Sequence, residues 1–247
     1  MPFVLEVIAF NIESCIIAAQ SGAHRIELCD NPADGGTTAS FGMIKTAREK
    51  TSLQLYPIIR PRGGDFLYSD DEFAIMKRDV NLCKELGCDG VVIGMLNADG
   101  AVDKKRTARL VEIAYPLGVT FHRAFDRVND PYKALEDIID TGCERILTSG
   151  LKPTAAEGIE MIAGLVKQAD ERIIIMPGSG VRADNIAELA QQTGATEFHT
   201  SARKEAESKM MYKNPGMNEN LSHVTLDDAE VKRMITLFKE IQNTTVH

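Results

Sequence analysis

Eight short apolar runs, each followed by a stretch of helical period, recur in strict order along this chain, and that alternation constrains its fold more than any other feature. The runs fall at 4–8, 25–29, 53–59, 90–93, 119–122, 145–148, 172–176 and 197–200. The amphipathic stretches between and after them fall at 11–20, 41–50, 70–86, 103–115, 131–140, 154–168, 183–192 and 226–242. Eight strand and helix pairs over 247 residues predict a closed (β/α)8 TIM barrel, an α/β fold, rather than an open sheet. A single domain over 1–247 follows, with one long connection at 203–225 after the eighth strand.

A repeat within the alternation points the same way. Ser21-Gly22-Ala23, Leu86-Gly87-Cys88, Thr141-Gly142-Cys143 and Thr193-Gly194-Ala195 each place a helix-stopping glycine just before an even-numbered strand. These glycines mark the end of the barrel away from any chemistry.

At 44% hydrophobic and 26% charged, the chain can bury a sizeable core. Its 28 basic and 36 acidic residues give a net charge of −8, which argues against a nucleic-acid or anionic-membrane partner. No run approaches a membrane span and the first residues lack a signal-like pattern, so a cytoplasmic protein is expected. The five cysteines, at 15, 29, 83, 88 and 143, form no Cys-x-x-Cys pair and are expected to be reduced thiols.

Chemistry in such a barrel sits at the carboxyl ends of the strands. After the third strand the chain runs Arg60-Pro61-Arg62-Gly63-Gly64-Asp65, an apolar run that ends in two arginines, two glycines and an acid. Strand alternation sets Glu6, Arg25, Glu27, Arg60 and His122 toward the lumen if these faces point inward. Arg62, Asp65, Arg123 and Asp126 then lie on the loops above. Glu27, Arg60, His122 and Asp126 are candidate catalytic groups, with Asp126 close enough in sequence to orient the His122 ring. The bland alternative is that Glu6 and Glu27 simply neutralise arginines inside the barrel.

The turn Gly178-Ser179-Gly180 follows the seventh strand, where barrels often bind phosphate through backbone N–H groups. Ser201, after the eighth strand, is placed to share that anion, and Ser149, after the sixth, offers a further hydroxyl. Arg62, Asp65, Arg123, Ser149, Gly178, Ser179, Gly180 and Ser201 are therefore the candidate ligand-binding residues. The 203–225 connection reads as a lid or a contact between copies.

Several of these motifs, taken in order, carry a resemblance. Arg25-Ile26-Glu27-Leu28-Cys29, Arg60-Pro61-Arg62-Gly63-Gly64-Asp65-Phe66, Thr120-Phe121-His122-Arg123-Ala124-Phe125-Asp126, Met176-Pro177-Gly178-Ser179-Gly180 and Glu197-Phe198-His199-Thr200-Ser201-Ala202 resemble the CutC family, named for copper homeostasis. The resemblance implies a cytoplasmic TIM barrel that forms homodimers or higher homo-oligomers, with a role in copper homeostasis and Cu(I) as its ion. No reaction comes with it.

Cu(I) prefers two or three converging sulfur ligands. Cys29 is the cysteine placed at the top of the barrel, with Met95 and Met176 at ends of inner strands and Cys15 on the first helix. Two expectations stand: a copper-handling protein with Cys29 as its soft ligand, or a barrel enzyme using acid/base chemistry on a small anionic or phosphorylated metabolite.

Overall fold

The computed structural model describes residues 3–245, and side chains up to residue 243. The strands are β1 (Val4–Ala9), β2 (Arg25–Leu28), β3 (Gln54–Pro57), β4 (Gly90–Ile93), β5 (Gly118–Phe121), β6 (Arg145–Thr148), β7 (Ile174–Pro177) and β8 (Glu197–Thr200). The helices are α1 (Ile12–Ser21), α2 (Phe41–Lys50), α3 (Asp70–Glu85), α4 (Lys104–Ala114), α5 (Pro131–Thr141), α6 (Ile159–Ala169), α7 (Ile186–Thr193) and α8 (Asp228–Thr245).

Two parallel arcs, β3-β2-β1-β8 and β4-β5-β6-β7, make up the TIM barrel. They adjoin at β3 and β4, where Ile58 bridges to Val92 in parallel and the Ile59 N–H donates to the Val92 carbonyl at 2.8 Å. The helix ends obey local chemistry. Asn11, Ser40, Ser69, Asp103 and Asp130 accept N-terminal N–H groups, and Ser69 with Glu72 forms a reciprocal capping box. Gly22, Gly142 and Gly194 close α1, α5 and α7 in the left-handed region, as the repeat predicts.

Two expected helices start late. The 154–158 stretch forms turns before α6, and 183–185 forms a turn before α7. The 203–225 connection is more ordered than a loop: β9 (Arg203–Ala206) and β10 (His223–Leu226) pair as an antiparallel ribbon. Its far end exposes Met210, Met211, Tyr212 and Met217. No helix among the described residues is long and apolar enough to cross a membrane.

The core divides by face. Leu5, Val7, Ile26, Leu28, Val91, Ile93, Phe121, Ile146 and Phe198 belong to the large apolar cluster that the helices complete. The lumen is different: it holds an ionic layer where β2, β6 and β8 begin. Arg25 donates to Glu6 at 2.5 Å and to Glu197 at 2.5 Å, and Arg145 donates to Glu197 at 2.7 Å, all of them buried. Tyr56 lies under both guanidinium groups, at 5.2 Å from Arg25 and 5.8 Å from Arg145. Gly90 and Gly118 leave room for its ring, since a Cβ at either would fall within 2.4 Å of it. Buried ions persist when each is paired, and this layer forms the floor of the site.

Candidate active site at the mouth of the barrel

Above the ionic floor lies a cavity of about 260 Å³. Glu27 of β2 and His199 of β8 stand at its base, His122, Arg60 and Arg123 on one side, and Ser179, Gly180, Ser201 and Arg203 on the other. Ile8, Phe10, Ile58 and Leu147 supply apolar wall.

Glu6 and His199 are register neighbours across β1 and β8. His199 Nδ1 lies 2.8 Å from Glu6 Oε1 and 3.7 Å from Glu27 Oε2. Burial alone would raise the Glu6 carboxyl, but the Arg25 charge and the His199 and Arg25 hydrogen bonds outweigh it and hold Glu6 at about 2. Glu6 is thus a fixed anion. Burial would lower the His199 ring, yet its bond to Glu6 and the charges of Glu27 and Glu6 win and raise it. With Nδ1 fixed by Glu6, Nε2 is the nitrogen left for other partners, as in a carboxylate–histidine pair that handles protons.

Glu27 is 3% exposed, and among the described residues its carboxylate accepts no hydrogen bond. Burial pushes it up to about 7 against the pull of His199, with Glu6 adding to the rise. A carboxyl that changes charge near neutrality beside an oriented imidazole can both take and give protons.

Arg60 and His122 are also buried at the cavity wall. Arg60 spends three donor contacts on carbonyl oxygens, Asp34 at 2.7 Å, Gly36 at 2.8 Å and Gly64 at 2.9 Å, and stacks over Phe66. No carboxylate among the described residues lies within ion-pair distance of it, so its charge is not neutralised locally. His122 Nδ1 accepts from the Ala124 N–H at 3.1 Å, which leaves the ring proton on Nε2, a buried atom without a partner. The ring sits where a Cβ on residue 94 would be, 2.3 Å away, and Gly94 makes that possible. Burial and the Arg60 charge depress His122 to about 3, so it is a neutral ring rather than a base at neutral pH.

The other expected residues are placed as follows. Asp126 does not meet His122. It accepts from Arg123 Nε at 2.7 Å, Thr148 Oγ1 at 2.5 Å and the Ser149 and Leu151 N–H groups, tying the turn after β5 to the one after β6. Ser149 is bonded in that same knot, accepting from Arg123 and donating to the Lys152 carbonyl. Arg62 and Asp65 pair with each other at 2.9 Å, Arg62 also binds Glu72 at 2.5 Å, and neither lines the cavity. The cause is the Gly63-Gly64 turn, which folds the loop onto the start of α3. Gly178 gives its N–H to the Thr148 carbonyl, whereas Ser179, Gly180 and Ser201 reach the cavity.

His199 escaped the sequence reading. Alternation on β8 sets Glu197 and His199 on one face, the same reasoning that picked out Arg25 and Glu27, and was the available signal.

The CutC family model matches residues 3–204. The chain belongs to the CutC family. It is 43% identical over 248 residues to the human protein named copper homeostasis protein cutC homolog, covering 99% of this chain and 91% of that one. To a CutC family protein of Chromobacterium violaceum it is 50% identical over 224 residues, 91% of each chain. The solved structure of the Streptococcus agalactiae copper homeostasis protein CutC superposes with a TM-score of 0.76 at 36% identity, over 81% of this chain and 98% of that one.

Copper, the ion in the family's name, can be tested against these residues. Cys29 is fully buried beside Tyr56, Ile58 and Val92, and the backbone at Gly36 closes over it so that a Cβ there would lie 3.1 Å from Sγ. Burial, with Glu27 and Glu6 nearby, pushes its thiol well above the usual range, opposing the thiolate that copper needs. The Met176 sulfur accepts from Arg25 at 3.4 Å. Among the described residues, the group of His, Cys, Asp and Glu that converges closely enough to hold an ion is Glu6, Glu27 and His199, which contains no sulfur. These residues do not fit a Cu(I) centre.

Proposed function

We propose that this CutC-family barrel is an enzyme that moves protons on a small anionic, phosphorylated metabolite held in the cavity over Glu27 and His199. One observation carries the reading: the Glu27 carboxylate is buried, accepts no hydrogen bond among the described residues, and faces the same cavity as Arg60 and Arg203, which have no carboxylate within ion-pair distance among those residues. A buried acid that accepts no hydrogen bond costs stability, and a substrate that supplies the donor accounts for its presence. Glu27 takes or gives the proton, His199 oriented by Glu6 does the reverse, and Arg60, Arg123 and the turn after β7 hold the anion. A single domain, a cytoplasmic location and assembly into homo-oligomers accompany this proposal; five unpaired, buried cysteines support a reducing compartment.

Cu(I) as a bound cargo is the second reading, brought by the names of the human and mouse relatives. Cys29 would be its ligand. Incubating the protein in D2O with a pool of small phosphorylated metabolites separates the two. Deuterium uptake by one component, lost in Glu27→Gln, is the expected result. No uptake and no saturable binding of inorganic phosphate, together with one Cu(I) equivalent retained against a chelator and released in Cys29→Ser, would overturn the proposal in favour of copper.

A further inference from the structure

The cavity wall presents two separate places for negative charge, one at the turns after β7 and β8 and the other at Arg60 and Arg123, which follow β3 and β5. In a ring of eight strands β3 and β7 are four steps apart, so the loop carrying Arg60 and the turn carrying Ser179 and Gly180 face each other across the mouth. We infer that the substrate carries two anionic groups, a phosphate at the turns after β7 and β8 and a carboxylate across the mouth at Arg60 and Arg123. This rests on the acid/base reading of the same cavity and names its substrate class.

The first locus is built from backbone. Ser179 and Gly180 are successive left-handed residues, with φ of 76° and 74°. Their shape is held from outside: Ser179 Oγ donates to the Pro153 carbonyl at 2.8 Å, and the Ala155 N–H donates to the Ser179 carbonyl at 2.9 Å. The N–H groups of Ser179, Gly180 and Ser201 have no acceptor among the described residues, and Arg203 beside them has no carboxylate within ion-pair distance. Three amide donors and a guanidinium match the three oxygens of a phosphate monoester.

The second locus offers fewer donors in a flatter set. Arg60 is tied to three carbonyls and contributes mainly charge. Arg123 gives Nε to Asp126 and Nη2 to Ser149, which leaves both hydrogens of Nη1. Two donors backed by a buried cation suit the two oxygens of a carboxylate. Glu27 on β2 and His199 on β8 occupy the arc between β3 and β7, so a molecule spanning both loci lays its carbon skeleton over the proton-handling pair.

Calorimetric titration of the full-length protein tests this with 2-phosphoglycolate, 3-phosphoglycerate, glycerol 3-phosphate and inorganic phosphate. A phosphorylated acid should bind about 10-fold tighter than glycerol 3-phosphate, the worth of one good charge-assisted contact. Arg123→Gln should erase that preference while leaving glycerol 3-phosphate within about 2-fold, and Arg203→Gln should weaken all four ligands. Equal affinity for the acids and glycerol 3-phosphate overturns the two-anion inference and leaves the acid/base reading intact. Failure of all four to bind overturns the acid/base reading itself.

Discussion

Glu6 Oε1 and His199 Nδ1 meet at 2.8 Å across neighbouring strands, and Glu6 is held from its other oxygen by Arg25 at 2.5 Å. The strand pairing makes this contact: Glu6 stands opposite Arg25 on one side and His199 on the other. Charge therefore runs from the ionic layer in the barrel to the base of the cavity through one carboxylate.

Removing that carboxylate charge should cost more than an ordinary core substitution. Glu6→Gln leaves Arg25 partly unpaired in the lumen, and breaking one partner of a buried pair costs about 3–5 kcal/mol. Because the folded state holds Glu6 at about 2, below its ordinary 4.5, its stabilisation is full above pH 4.5 and drains away as pH falls toward 2. Urea unfolding of wild type and Glu6→Gln at pH 7 and pH 4 checks this: the gap should be large at pH 7 and smaller at pH 4. An equal gap at both would show that Glu6 is not the ion described.

Glu27 should behave in the opposite sense. Its folded pKa is raised to about 7, so its favourable, protonated state is present below the ordinary 4.5 and is lost as pH rises through 7. Ionising it in place costs on the order of 3 kcal/mol, at about 1.4 kcal/mol per pH unit of displacement. Glu27→Gln should consequently be more stable than wild type at pH 8 and level with it near pH 4.5. A variant less stable than wild type at pH 8 would mean that the Glu27 carboxylate has a hydrogen-bond donor beyond the His199 contact at 3.7 Å.

Copper affinity offers a third expectation. A sealed thiol with a raised pKa has little thiolate to offer, and the neighbouring acids oppose its ionisation further. Under anaerobic reducing conditions the protein should surrender Cu(I) completely to a bicinchoninate-type chelator, with Cys29→Ser indistinguishable from wild type. One equivalent retained by wild type and released by the variant would contradict this.

The barrel was legible because its signals are local and periodic: alternation of apolar runs and helices, caps such as Ser69, and stop glycines at 22, 142 and 194. Side-chain partnership at the site was less so. Arg62 and Asp65 look like binding groups in sequence, but a glycine turn folds them onto Glu72 and onto each other. Asp126 looks like a partner for His122, yet three residues of tight turn aim it at β6 instead. Alternation on β8 sets His199 on the inward face, but its partnership with Glu6, 193 residues away, comes from the pairing of β1 with β8.

His122 gives a prediction that separates a neutral wall residue from a titrating base. Burial and the Arg60 charge lower it from 6.5 to about 3, and its Nδ1 is fixed as an acceptor by Ala124. A depressed folded pKa means that its contribution is present above pH 6.5 and lost as pH falls toward 3. Its ring signals in nitrogen-detected NMR should then show the Nε2–H tautomer with no titration between pH 5 and 8. The unfolded chain does take up that proton, so at pH 5 the ring withdraws about 2 kcal/mol of stability relative to pH 7. Gly94→Ala supplies the structural arm of the test. Its new Cβ would lie 2.3 Å from the ring, so the imidazole must leave its seat, at a cost of about 1–3 kcal/mol for overpacking. Once displaced from Ala124 the ring should recover a pKa nearer 6.5; a ring that already titrates near 6.5 in the wild type would instead make His122, and not Glu27 with His199, the proton carrier of this cavity.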